Sequence, residues 1–202
     1  MVFGIQQILL KEYRMAHRIQ VYDYPGFSED VNSRLFNFIE SNNTEIMGGS
    51  LMTDLFLHKK ENVDLLNLFS WINSILPEVS HNFGRVSDVP FNLNDYYNPS
   101  ELHAGGKYAF NPLSFKVKRS WGLLYGSESF VERHNHFPYT IAFVYYVNVP
   151  KGCSSVIIED QSLDINPGQI VIFQGHINHC IPPSNVDGRC VIAGLIHYED
   201  EY

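Results

Sequence analysis

The chain has 202 residues, of which 45% are hydrophobic and 18% charged, a balance that supports a substantial core and excludes a disordered polymer. A net charge of −8 argues against a broad nucleic-acid-binding or acidic-membrane surface. Three cysteines, Cys153, Cys180 and Cys190, with no CxxC pair, exclude a disulfide framework and a zinc ribbon and make the reducing cytoplasm the expected compartment.

The opening MVFGIQQILLKEYR has a short apolar stretch but no basic leader region, so it does not read as a signal peptide. No run approaches the roughly 20 apolar residues of a membrane-spanning helix. Residues 18–24, RIQVYDY, read as a strand closed by Pro25-Gly26. Ser28 is placed to cap a helix running to about Glu40, with Val31, Leu35, Phe38 and Ile39 at helical spacing. A second helix is expected over 62–76, stopped by Pro77. Val63, Leu66, Phe69, Ile72 and Leu76 would form its core-facing stripe.

Residues 88–112 are rich in turn formers and too long for a simple connection, which predicts a rim or lid loop. From Leu113 onward the chain reads as short strands separated by Gly, Pro, Asn, Asp and Ser: FKVKRSWGLLY, ESFVERH, YTIAFVYYVNV, SSVIIED, GQIVIF and RCVIAGLIHY. The expected architecture is a single, mainly β (α+β) domain. Residues 1–112 would supply a strand, supporting helices and the rim loop, and 113–202 a sandwich or small barrel.

The chemistry concentrates in HNHFPYTIAFVYYVN, residues 134–148. The contiguous letters HNH are no evidence for the nuclease motif of that name, whose residues are scattered. Residues i and i+2 of a strand share a face, so His134 and His136 can reach one ion. With nine histidines in the chain, about 0.4 such pairs arise by chance, so the pair alone decides little. A third histidine follows the strand QIVIF, in QGHINHC. His179 fits that place better than its competitor His176. If His179 returns from the facing sheet of a double-stranded β-helix, three ligands on one side leave positions open for water, a cosubstrate and O₂, as at non-haem Fe(II) sites. Arg189 opens an otherwise apolar strand and suits a carboxylate, or is a surface arginine at a strand start.

The segment from Trp121 to Ile196 resembles the Fe(II)/2-oxoglutarate-dependent oxygenase superfamily. It is most similar to a group of oxygenases common in marine bacteria and phages, with the prolyl 4-hydroxylases as more distant relatives. The resemblance rests on Trp121, His134-Asn135-His136, Pro138, Tyr145-Tyr146, Pro167-Gly168 followed by IVIFQGHINH, and Arg189. It covers roughly the last 80 residues. It implies a jelly-roll core flanked by N-terminal helices, and an iron site at His134 and His179. Arg189 would pair with the distal carboxylate of 2-oxoglutarate. Tyr146 and Tyr125 match tyrosines near that cosubstrate in the prolyl hydroxylases, and the implied reaction is hydroxylation of a protein or small-molecule substrate.

His136 departs from the pattern, since most of the superfamily has Asp or Glu there. It is expected as the third ligand. The alternatives are a swung-away side chain, leaving a two-histidine site as in the related halogenases, or a different metal, since imidazole also suits Zn, Ni and Cu. Two rival readings share the same residues. One is a cupin-type three-histidine dioxygenase or isomerase, although Thr140 stands where that motif has glutamate. The other is a jelly-roll binding module without turnover. No oligomeric state is legible in the sequence.

Overall fold

The computed structural model describes residues 18–83 and 115–199; the rim loop expected at 88–112 lies outside the described residues. In chain order the strands are β1 (Ile19–Asp23), β2 (Asn43–Met47), β3 (Ser50–Thr53), β4 (Phe115–Tyr125), β5 (Val131–His134), β6 (Ile141–Asn148), β7 (Val156–Ile158), β8 (Gln161–Leu163), β9 (Gln169–Gln174), β10 (His179–Ile181) and β11 (Arg189–Tyr198). Helices α1 (Glu29–Ser41) and α2 (Val63–Phe83) precede β4. One sheet has the order β1-β9-β6-β11-β4-β3-β2 and the other β5-β10-β7-β8. Every pairing between these strands is antiparallel. From β4 to β11 the chain steps back and forth between the two sheets, which is the winding of a jelly roll.

The large sheet is covered on both faces, so its strands read as apolar runs and the alternation is visible only in what each residue meets. On one face Phe143, Tyr145, Ile170, Ile172 and Ile192 pack against Leu35 and Ile39 of α1 and Leu68, Phe69 and Ile72 of α2. On the other, Trp121, Leu123, Tyr125, Ala142, Tyr146, Val171, Phe173, Val191 and Ala193 face Val156, Ile158 and Ile181 of the small sheet. Each of the larger side chains so buried contributes about 1.5–3 kcal/mol.

Ser28 caps α1 as its position predicts, accepting from the Val31 amide at 3.2 Å. Asn32 on its buried face donates through Nδ2 to the Val147 carbonyl at 2.6 Å and accepts from the Tyr145 hydroxyl at 2.7 Å, which ties α1 to β6. A two-pronged pair, Arg34 Nε to Asp64 Oδ2 at 2.7 Å and Nη2 to Oδ1 at 2.9 Å, ties α1 to α2. That pairing holds the Asp64 carboxyl below its ordinary range.

Two expectations are corrected, and a third element was not foreseen. First, α2 does not stop at Pro77 but continues to Phe83. Proline removes one helical donor, yet the turns beyond it stay packed: Val79, Ser80 and His81 are buried, and Gln20 Nε2 donates to the Val79 carbonyl at 3.1 Å. Second, the buried stripe of α2 is Leu65, Leu68, Phe69, Ile72 and Leu76, while Val63 and Leu66 are exposed. A helix with apolar residues around much of its circumference gives periodicity two registers to choose between, and packing on the large sheet decides. Third, β2 and β3 form an unforeseen hairpin turning at Gly48-Gly49, both with positive φ.

Candidate metal centre

His134 ends β5 and His179 begins β10, and these two residues are direct partners across adjacent strands of the small sheet. This corrects the expectation that His179 would arrive from the facing sheet. Nor is His179 at the end of β9: the four residues 175–178 separate the two strands. His136 does not share a strand face with His134 either, because β5 has ended. It sits in the connection to β6, where its amide donates to the Gly175 carbonyl at 2.7 Å. The turn, and not strand alternation, brings the second imidazole round.

Two further contacts set that turn. The Gly175 amide donates to the Thr140 carbonyl at 2.9 Å, and Asn135 Nδ2 donates to Asn178 Oδ1 at 3.1 Å, linking the residue between the first two histidines to the neighbour of the third. Gly175 is required by close approach: a Cβ there would lie 2.0 Å from the Tyr139 carbonyl oxygen. Gly175→Ala is therefore expected to push the 136–140 turn outward. It should lower the midpoint of thermal unfolding and weaken metal binding together, as read by melting with and without added metal.

The three imidazoles face one another, with ring centroids 4.3 Å apart for His134–His179, 4.8 Å for His134–His136 and 4.9 Å for His136–His179. One ligand atom from each lies within 4.8 Å of the others. Nδ1 of His134 is 2.8 Å from the Glu132 carbonyl, and Nδ1 of His179 is 3.3 Å from the Ile177 carbonyl. A carbonyl only accepts, so Nδ1 carries the proton in these contacts and Nε2 presents its lone pair inward. The donor set fits a divalent transition metal. His176, the competitor, is exposed and lines a separate open cleft of about 600 Å³.

Burial, reinforced by the neighbouring His179 and His134 charges, pushes His136 down to about 3; burial and His134 push His179 down to about 4. Both are neutral at pH 7, the form that binds metal. The same shifts give a stability prediction. Unfolded histidine takes up its proton near pH 6.5, while the folded protein refuses it until about pH 4. The unfolded chain thus binds more protons in that window, and the metal-free protein loses stability as pH falls through it. Urea denaturation at pH 7 and pH 5 should show this loss, and His136→Gln should reduce it.

The large sheet supplies the opposite wall. Cross-strand register places its inward side chains in rows: Phe173–Ala142–Leu195, then Val171–Val144–Ala193–Trp121, then Tyr146–Val191–Leu123, then Arg189–Tyr125–Ser50. The His179 ring lies 4.8 Å from Phe173 and the His136 ring 6.2 Å from Trp121, so the histidines stand over the first two rows. Arg189 lies in the last row, only 4% exposed, with its guanidinium 5.7 Å from the centre of the Tyr125 ring. It donates to the Ser154 carbonyl, and among the described residues no carboxylate lies within ion-pairing distance. Tyr146 and Tyr125 are raised above the ordinary phenol range, by burial first, so both stay protonated.

Among the described residues, four buried side-chain atoms have no hydrogen-bond partner: Arg189 Nε, Tyr146 Oη, Trp121 Nε1 and Ser50 Oγ. All four belong to this inward-facing set of rows. Arg189, Tyr146 and Tyr125 were expected beside the cosubstrate, and all three fall on this wall. Trp121 had no assigned role, and Ser50 was not foreseen because its strand was not; the Gly48-Gly49 turn signal before it was the available clue.

No protein-family model and no curated protein matches the chain. Solved structures do. A viral collagen prolyl hydroxylase from Paramecium bursaria Chlorella virus-1, in its 2-oxoglutarate complex, aligns at a TM-score of 0.63. The alignment covers 91% of this chain and 97% of that one, at 10% identity. An oxidoreductase of the 2-oxoglutarate–Fe(II) oxygenase family from Burkholderia pseudomallei aligns at 0.54, over 89% and 84%, at 10% identity.

The chain has the fold of the 2-oxoglutarate–Fe(II) oxygenases. HygX from Streptomyces hygroscopicus, solved with nickel, 2-oxoglutarate and hygromycin B bound, shares this oxygenase fold at a TM-score of 0.59, over 91% of this chain and 84% of that one, at 8% identity.

Proposed function

We propose that this oxygenase fold houses an Fe(II)- and 2-oxoglutarate-dependent dioxygenase that hydroxylates a protein or small-molecule substrate. His134, His136 and His179 would hold the metal through Nε2, and Arg189, Tyr146 and Tyr125 would hold the distal carboxylate. The observation that carries this reading is the buried guanidinium of Arg189, with no carboxylate partner among the described residues, at the far end of a wall whose near end the three converging imidazoles face. A buried charge without a counter-ion is costly, and the cost is removed when an anion binds.

Length and charge agree with a dicarboxylate. The Trp121 row and the Tyr125 row are four residues apart on β4, about 13 Å at 3.3 Å per residue. An arginine side chain and a five-carbon diacid together span that distance. Three neutral imidazoles leave the charge of a divalent ion uncompensated, and a dianion compensates it while also pairing with Arg189. The protonated phenols donate to the same carboxylate, which a phenolate would repel. The enclosed slot is about 50 Å³, room for a few waters, so the lining side chains must move apart when the cosubstrate enters.

When bound, iron with 2-oxoglutarate supplies O₂-derived oxidation of a C–H bond coupled to release of succinate and CO₂. The residues of the chain orient the cosubstrate and keep the slot apolar around it: Val156, Ile158, Val171 and Ile181 line it together with the histidines. A cupin-type reaction without 2-oxoglutarate leaves the Arg189 cation without an anion. The test is O₂ consumption by the Fe(II)-loaded protein without substrate. The proposal expects slow uptake that depends on 2-oxoglutarate and yields succinate in equal amount. Iron-dependent uptake indifferent to 2-oxoglutarate would favour the cupin chemistry.

A further inference from the structure

Trp121 has a feature that the metal site and the Arg189 end do not explain. Its indole is 92% buried, since 8% remains exposed, and among the described residues its Nε1–H has no acceptor. It lines the slot in company with His134, His136 and His179. Its register fixes which end it serves. On β4 it pairs with Ala193, one row from Leu123 and two from Tyr125, and its ring meets the His136 ring edge-on at 6.2 Å. It therefore stands at the metal end, remote from Arg189. Neutral imidazoles whose Nε2 lone pairs are committed to a metal offer it no acceptor, whereas a carboxylate in place of His136 would. The acceptor must come with the ligand.

We propose that the Trp121 indole N–H donates a hydrogen bond to the 2-oxo-acid end of the cosubstrate, the carboxylate that lies against the metal, and so orients that end in a site lacking a protein carboxylate. This rests on the cosubstrate reading above. Trp121 is a positioning residue under this account: it neither binds the metal nor moves a proton.

The chain has two tryptophans, Trp71 and Trp121, so an ¹⁵N-labelled sample gives two indole N–H signals. Trp71 lies on the helical side of the large sheet, 5.1 Å from the Tyr24 ring, and serves as an internal control. The protein is loaded with Zn(II), which is diamagnetic, and titrated with 2-oxoglutarate by NMR and by calorimetry. Trp121→Phe and Trp71→Phe each remove one signal, so the assignment survives if either variant fails to fold.

The expected result is a downfield shift and slowed solvent exchange of the Trp121 signal alone. In Trp121→Phe the affinity for 2-oxoglutarate should fall about tenfold, the loss of one hydrogen bond to a charged group, with Zn(II) affinity unchanged. If 2-oxoglutarate binds but the Trp121 signal stays where it was, or Trp121→Phe binds it as tightly as wild type, the inference is overturned and the cosubstrate reading stands. If wild type shows no binding of 2-oxoglutarate, the cosubstrate reading itself fails and the inference falls with it.

Discussion

Arg189→Met is expected to abolish 2-oxoglutarate binding at ordinary concentrations while leaving the metal-free protein at least as stable as wild type. The two halves of this result have one cause. Arg189 is a cation buried on the inward face of β11, with Nε unpartnered and no carboxylate near it among the described residues. Replacing an uncompensated buried charge by an apolar chain of similar length removes a desolvation cost in the empty protein. Removing one partner of a buried, hydrogen-bonded charge pair costs roughly 2–5 kcal/mol in the complex, a loss of about thirty-fold to several thousand-fold in affinity. Calorimetry with 2-oxoglutarate and thermal melting without it check the two halves separately. Arg189→Lys keeps the charge but loses the planar fork, so it should fall between the two. An arginine that merely packed against Tyr125 would give the opposite pattern, with lower stability and unchanged binding.

The second large effect concerns the metal. His134→Ala and His179→Ala should each weaken metal binding by more than about 100-fold, beyond the 10- to 100-fold typical of outer-sphere changes. His136→Ala tests the residue that departs from the superfamily pattern. Its ring is as close to the other two as they are to each other, within 0.6 Å of centroid distance (4.3 Å against 4.9 Å), so it should lose affinity similarly. His136→Asp is expected to keep the metal but bind 2-oxoglutarate more weakly than wild type, because a carboxylate ligand cancels one of the charges that attract the dianion. Metal titration monitored by a competing chelator, followed by 2-oxoglutarate calorimetry, separates these outcomes. Retention of full metal affinity in His136→Ala would point to a two-histidine site.

Much of the fold was legible because local rules and tertiary packing agreed. The strands FKVKRSWGLLY and RCVIAGLIHY occupy Phe115–Tyr125 and Arg189–Tyr198 as read, since β-forming residues are bounded on both sides by turn formers. Ser28 announced α1 by its capping chemistry. The failures came where packing overruled a local signal. Pro77 is held inside α2 by the buried residues beyond it, and the apolar circumference of that helix let its stripe be read in the wrong register. Asn135 had no assigned role, yet its side chain joins the turn of His134 and His136 to the segment bearing His179.

The site was legible in its residue types more than in its geometry. Histidines at 134, 136 and 179 were singled out by spacing and resemblance, and the fold gathers them. The stated reasons, a shared strand face and facing sheets, are not the ones the fold uses. Adjacent strands of the small sheet place His134 beside His179, and a glycine-dependent turn swings His136 round. The wall opposite them depends on register across five strands, which no local pattern encodes. Trp121 and Ser50 therefore acquire their meaning only when the rows are assembled.

In the proposed site one slot holds a metal at the histidines and 2-oxoglutarate between that metal and Arg189. The most direct test of that arrangement is an anaerobic titration of metal-stripped protein with Fe(II) and then 2-oxoglutarate, watching for the visible metal-to-ligand charge-transfer band that chelation produces. The expected band saturates at one equivalent, is lost in Arg189→Met at the 2-oxoglutarate concentration that saturates wild type, and disappears in His179→Ala. Iron binding with no band at any 2-oxoglutarate concentration would contradict that arrangement.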